Sequence, residues 1–131
     1  MAGIKNYKTH QQIDGKSFVP ILKNANYTDN QRALYWHFPN KWIPEDGPGI
    51  NYKSAIRQGD WKLIYNMRDG STELYNLKED IGEQKNQVAA YPEKAKALAA
   101  KLGTQFKEWE APMPVVKATG KRVAVPGLTG N

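Results

Sequence analysis

Residues 32–77 constrain the fold of this chain more than any other part of it. Four short runs there are rich in aromatic and branched apolar residues, and turn-forming residues separate them. Such runs are typical of β-strands. Gly59-Asp60 and Asp69-Gly70 are turn signals of the kind that join adjacent strands, so we expect an antiparallel meander. The predicted strands are residues 32–38, 52–57, 61–65 and 72–77.

An amphipathic helix is predicted after the sheet. Apolar residues recur there at spacings of three and four, starting after Pro92, and Pro112 and Pro114 end the pattern. A stripe of this kind packs against a neighbouring apolar surface. We therefore predict an α+β fold, in which a four-stranded antiparallel sheet carries a long C-terminal helix on one face. The stripe consists of Ala95, Leu98, Leu102, Phe106 and Trp109.

The length of 131 residues fits one domain. We predict a polar lead-in at 1–13, a folded domain at 14–112 and an extended tail at 113–131. Within the domain, a short helical turn is expected at 14–23. No apolar run approaches the roughly 18 residues that cross a bilayer, and the start lacks the apolar core of a signal peptide. No membrane partner is expected.

Charge and cysteine content narrow the possible chemistry. The chain has 19 Lys and Arg against 13 Asp and Glu, a net charge of +6. This charge favours anionic partners such as nucleic acid or sulfated glycans, although dispersed charges are also typical of a solvated surface. The absence of cysteine excludes disulfides, thiolate metal sites and a cysteine nucleophile. No phosphate loop or metal-ligand cluster occurs, so we predict no catalytic and no metal-binding residue.

The end of the first predicted strand is the candidate binding region. His37 lies there between two aromatic residues, ahead of a Pro- and Gly-rich loop at 40–51 that contains Trp42. An imidazole in this position can hydrogen-bond an anionic or sugar ligand, or it can be a buried structural residue with backbone partners. Trp42 can stack on a sugar ring or belong to the core. Arg57 can face an anion or rim the sheet.

Several motifs in this order resemble the C-terminal region of arylsulfatase-type sulfatases. The resemblance covers roughly residues 12–112 and implies a four-stranded antiparallel sheet with a packed helix, as the residue pattern also predicts. These sulfatases hydrolyse sulfate esters with a formylglycine made in a Cys/Ser-x-Pro-x-Arg motif, beside a calcium ion held by Asp and Asn. The motifs are Asp14-Gly-Lys-Ser-Phe-Val-Pro-Ile-Leu22, Ala33-Leu-Tyr-Trp-His-Phe-Pro39, Ser54-Ala-Ile-Arg-Gln-Gly-Asp-Trp-Lys-Leu-Ile64 and Glu73-Leu-Tyr-Asn-Leu-Lys-Glu-Asp80.

The resemblance implies that this chain completes a sulfatase without catalysing. It has no cysteine and no Ser-x-Pro-x-Arg, and Asp29-Asn30 lies in the wrong region for the calcium pair. We therefore expect no cofactor here, with calcium and formylglycine in a separate catalytic domain. The implied partners are that domain and a sulfated carbohydrate, in a bacterial protein of the periplasm or outside the cell. Nucleic acid is not an expected partner of such a domain. The alternative is a stand-alone basic binding module for sulfated glycan or nucleic acid.

Overall fold

The computed structural model of the protein describes residues 8, 10, 15–41 and 51–127. Two helices and four strands lie in this part of the chain, and none of the helices described is long and apolar enough to cross a membrane. The elements in chain order are α1 (Val19–Lys23), β1 (Ala33–Phe38), β2 (Lys53–Gln58), β3 (Trp61–Asn66), β4 (Thr72–Asn76) and α2 (Pro92–Glu108).

The four strands form one antiparallel sheet in the order β1-β2-β3-β4. The β2–β3 hairpin closes through two residues, Gly59 and Asp60, because Gln58 pairs directly with Trp61. Gly59 has a φ of +57°, which the first central position of a type II′ turn requires and glycine adopts without strain. The turn also fixes which strand residues point to which face of the sheet.

Helix α2 covers one face of the sheet and forms the core with it. Ile56, Leu63 and Leu74, which are cross-strand neighbours, are fully buried against Leu102 and Phe106. Burial of each such side chain contributes about 1.5–3 kcal/mol to folding. The predicted α+β fold, with the helix packed on one face of the sheet, is confirmed.

The N-terminal helix α1 buries none of its residues. Phe18, Ile21 and Leu22 keep more than half of their surface exposed, with Phe18 at 66%. Three large apolar side chains, two on this short helix and one at its N-cap, therefore lack a covering surface within the described part of the chain. The predicted lead-in at 1–13 lies outside the described residues except for Lys8 and His10.

Residues 113–127 fold back onto the core on the side of α2. Met113 and Pro126 are buried, and Val123 and Val125 pack against the core cluster. The Tyr65 hydroxyl donates a 2.8 Å hydrogen bond to the carbonyl of Ala124. These contacts attach the described part of the tail to the domain. The predicted boundary at 113 stays a prediction.

Candidate functional site

The second face of the sheet, which we call the open face, carries no helix within the described part of the chain. Strand alternation turns the side chains of this face away from α2, because successive residues of a strand point to opposite sides. Trp36 is 40% exposed there, and Leu34 on the same strand is also exposed. From the register, the strand residues of the open face are Leu34, Trp36, Phe38, Lys53, Ala55, Arg57, Lys62, Ile64, Asn66, Glu73 and Tyr75.

A cavity of about 560 Å³ lies over the open face. Its floor is apolar, because Trp36, Ala55 and Ile64 are consecutive cross-strand partners. Ile81, in the turn after β4, lines the rim and is 80% exposed. The cavity thus combines an apolar floor with a charged border of Lys53, Arg57, Lys62 and Glu83.

Two cations of the border are direct cross-strand partners. Arg57 on β2 pairs in register with Lys62 on β3. The Lys62 ammonium forms a 2.6 Å ion pair with Glu83, and both side chains are about three-quarters buried. Arg57 is exposed, and its Nε donates to the Gly59 carbonyl at 3.1 Å. Since Glu83 offsets Lys62, Arg57 dominates the positive charge at this end of the open face.

The turn that carries Glu83 is held by an aspartate. The Asp80 carboxylate accepts hydrogen bonds from the backbone N–H groups of Gln84 and Lys85. These two hydrogen bonds hold the pKa of Asp80 below its usual value. Glu83 has a φ of +55°, which costs a residue other than glycine about 1 kcal/mol or more. The same strained residue forms the ion pair with Lys62.

Tyr75 occupies the β4 side of the open face and is buried. Its hydroxyl donates to the Glu73 carboxylate at 3.2 Å. Burial, followed by the negative charge of Glu73, raises the pKa of Tyr75 to about 12. This tyrosine therefore stays neutral and acts as a donor throughout the physiological range.

His37 lies on the opposite face of β1, under the end of α2. Its Nε2 lies 2.9 Å from the Pro112 carbonyl and its Nδ1 lies 2.8 Å from the Ser54 hydroxyl. A carbonyl oxygen only accepts, so Nε2 carries a hydrogen and donates it to Pro112. The ring also packs on Phe106 with centroids 4.5 Å apart. Both ring nitrogens thus have partners inside the fold, and substrate binding by His37 stays a prediction.

The structure places two of the three candidate residues, His37 and Arg57, on opposite faces of the sheet. His37 pairs with Ser54 on the covered side, whereas Arg57 lies three residues further along β2 on the open face. Arg57 also lies near the far end of β2. It is about 13 Å along the strand from Lys53, where β2 begins, at a rise of about 3.3 Å per residue. Trp42 lies outside the described residues. Binding by Trp42 and Arg57 also stays a prediction.

Ile81 and Glu83 are the open-face residues that sequence reasoning missed. Both lie in a charged, turn-like segment that gives no strand or helix periodicity. The available signal was a branched apolar residue in a polar turn, since such a residue has no local reason to be there. Exposed apolar residues of this kind mark interaction surfaces when they join a larger patch.

Among the described residues, no group of three or more His, Cys, Asp or Glu side chains can hold a metal ion. Asp29, beside Asn30, instead forms a 2.8 Å ion pair with Lys16 and accepts the backbone N–H of Arg32. The Lys16 hydrogen bond is the main reason that the pKa of Asp29 is lowered. Asp29 therefore has a turn-forming role here.

Comparison with known families and structures identifies the domain. Residues 1–111 match the family described as N-sulphoglucosamine sulphohydrolase, C-terminal. This chain belongs to that sulfatase C-terminal family. A sulfatase of Formosa agariphila is 35% identical over 103 residues, which cover 76% of this chain and 18% of the relative.

A solved structure is also similar to this chain. It contains BT4656 in complex with its substrate D-glucosamine-2-N,6-O-disulfate, at a TM-score of 0.59 and 28% identity. The match covers 79% of this chain and 21% of that protein. This sulfatase C-terminal domain thus spans about a fifth of the length of the relatives it matches.

Proposed function

We propose that this sulfatase C-terminal domain completes a formylglycine-dependent sulfatase that acts on a sulfated carbohydrate. The open face packs against the catalytic domain, and the loop between β1 and β2 forms one wall of the substrate pocket. The observation that carries the proposal is the apolar sheet face that the described residues leave partly exposed, in a domain whose relatives are about five times longer.

The chemistry of the open face fits a buried interface between protein domains. Interface centres are enriched in aromatic residues and arginine, and those residues carry much of the binding energy. Trp36 and Arg57 are of these types, and Ile81 extends the apolar area. Helix α1 adds a second uncovered apolar group. A partner with aliphatic side chains would cover the apolar floor, and a partner carboxylate opposite Arg57 would pair with its charge.

The catalytic group and the metal belong to the partner in this proposal. This chain has no cysteine and no Ser-x-Pro-x-Arg, so it cannot supply formylglycine. Its described residues include no cluster that could hold calcium. The residues of this domain therefore act by binding and positioning, with no bond-breaking step of their own.

The loop that leaves β1 is the part proposed to reach substrate. His37 anchors the start of that loop, since its contacts tie the end of β1 to β2 and to the segment after α2. In this role His37 is a positioning residue for the loop that contains Trp42. The resemblance supports a sulfated carbohydrate as substrate and a periplasmic or secreted location.

The test uses the complete open reading frame from which this chain derives. We expect a Cys/Ser-x-Pro-x-Arg motif upstream and sulfate release from N- or 6-O-sulfated glucosamine. Trp36→Asp should abolish sulfate release in the full protein, because a charge on the open face prevents domain packing. In the isolated 131-residue chain the same change should leave a cooperative unfolding transition, with a loss of less than about 2 kcal/mol in the free energy of unfolding.

A matched control changes an exposed residue outside the open face. Lys78→Ala should leave sulfate release unchanged in the full protein. The proposal fails if no upstream motif exists or if Trp36→Asp retains full activity.

For the loop, Trp42→Ala should raise KM for the sugar substrate with little effect on kcat, and an unchanged KM would remove Trp42 from the pocket wall.

A further inference from the structure

Residues 115–122, which we call the basic hairpin, lie beyond the matched family region of 1–111. Val115 forms an antiparallel bridge with Arg122, and the Val116 N–H donates to the Lys121 carbonyl at 2.9 Å. Gly120, with a φ of +67°, allows the tight reversal between them. The segment is therefore an ordered turn with a defined register.

The basic hairpin is attached to the core at both ends. At its start, the Val123 N–H donates to the Pro114 carbonyl at 2.9 Å, next to the buried Met113. At its end, Ala124 accepts the Tyr65 hydroxyl and Pro126 is buried. Gly127 then approaches the backbone of α2 so closely that a Cβ would collide with Ala100. Anchors on both sides hold the hairpin in one place relative to the domain.

The charges of the basic hairpin have one sign. Lys117, Lys121 and Arg122 are exposed, and residues 111–127 contain no Asp or Glu. Two other cations of the domain have carboxylate partners instead, since Lys16 pairs with Asp29 and Lys62 pairs with Glu83. A preorganised group of like charges attracts a multivalent counter-ion more strongly than the same charges dispersed over a surface.

We propose that the basic hairpin binds a sulfated polysaccharide chain at a surface separate from the open face. Three cations within eight residues contact successive anionic groups of one polymer, and a fixed hairpin loses little conformational entropy on binding. The preference for a polyanion rests on the charges, whereas the preference for a sulfated glycan rests on the proposed function. The hairpin then retains a polymeric substrate while the pocket acts on one of its residues.

The test measures binding of the 131-residue chain to dextran sulfate over a salt series. Lys117→Gln, Lys121→Gln and Arg122→Gln together should weaken binding about 10- to 100-fold near physiological salt. The slope of log K against log salt should fall by about 2–3 in magnitude. Each cation that contacts the polyanion releases about 0.7–0.9 counter-ion, and the triple variant loses three such contacts. Far-ultraviolet circular dichroism should be unchanged because all three side chains are exposed.

The matched control removes the same net charge elsewhere. Lys23→Gln, Lys78→Gln and Lys85→Gln together, all exposed, should weaken binding less than about 3-fold, since dispersed charges act only through the screened overall field. Equal losses in the two triple variants, or no binding by the unmodified chain, would overturn the proposal.

Two further probes separate the possible sources of negative charge. Carboxymethyl dextran and single-stranded DNA should bind more weakly than dextran sulfate at equal charge density. Equal or tighter binding of either would overturn the assignment to sulfated glycan. Sulfate release by the open-face variants is a separate readout, so failure of the hairpin site is distinguishable from failure of the proposed function.

Discussion

The covered face and the open face belong to the same four strands but differ in what they leave exposed. Under α2, Leu63 and Leu74 are fully buried, and the polar groups of His37 and Ser54 bond each other. On the open face, Trp36 and Ile81 remain exposed around a large cavity. The covered face supplies the stability of the isolated domain, and the open face supplies a surface for a partner.

The largest difference is expected between Phe106→Ala and Trp36→Ala. Phe106 is 2% exposed in the core, so its truncation should lower the free energy of unfolding by about 3–5 kcal/mol. Trp36 is half-solvated, and its truncation should cost less than about 1.5 kcal/mol in the isolated domain. Urea unfolding of both variants measures the difference. Equal losses would mean that the open face already belongs to the core.

His37 and Trp36 provide a second comparison, because neighbours on one strand point to opposite faces. His37→Ala removes two hydrogen bonds and leaves the buried Ser54 hydroxyl with only a 3.9 Å contact to the Met67 sulfur. We expect a loss of about 1–3 kcal/mol. Thermal unfolding of the 131-residue chain measures it. An unchanged melting temperature would mean that these hydrogen bonds contribute little to stability. The predicted substrate contact would then be the better account of His37.

The Lys62–Glu83 pair gives a smaller effect at the edge of the open face. Both side chains are about three-quarters buried, so their coupling should be about 0.5–1 kcal/mol, near the upper end for partly exposed pairs. A double-mutant cycle with Lys62→Met and Glu83→Gln measures this coupling. A value near zero at low salt would mean that the pair contributes no net stability before a partner binds.

The last effect should be absent at neutral pH and appear only at high pH. The pKa of Tyr75 is raised to about 12 in the folded domain from an ordinary value near 10. A raised pKa means that the folded state holds the proton more tightly, so the associated stability is complete below pH 10 and is lost as pH rises towards 12. Tyrosinate absorbance should show a late-titrating group that disappears in Tyr75→Phe. A titration unchanged by this substitution would contradict the assignment.

Much of the covered face could be predicted from the sequence. The period of three and four from Ala95 to Phe106 and the turns at Gly59 and Gly70 are local signals, and both determine the fold that is observed. These same local signals make the fold of the family predictable from the sequence. Trp109 was placed in the helical stripe, and it instead ends α2 half-exposed beside Tyr35, with ring centroids 5.4 Å apart.

The arrangement of the candidate site could not be predicted in the same way. Strand β1 has apolar residues on both faces, so its alternation does not say which side α2 covers. Only the register and the alternation of the strands separate His37 from Arg57, and that register joins two strands that are far apart in the sequence. The folded tail had no periodic signal, because it is attached by a bridge, a tyrosine hydroxyl and close packing at Gly127.

The strand order of the sheet has a kinetic consequence. Every strand pairs with its neighbour in sequence, so β2, β3 and β4 can assemble through short loops with little closure entropy. Chains rich in such nearby contacts fold quickly for their size. We expect this three-stranded unit to form first in stopped-flow refolding, followed by β1 and α2. The domain would thus complete its folding soon after its own last residues leave the ribosome.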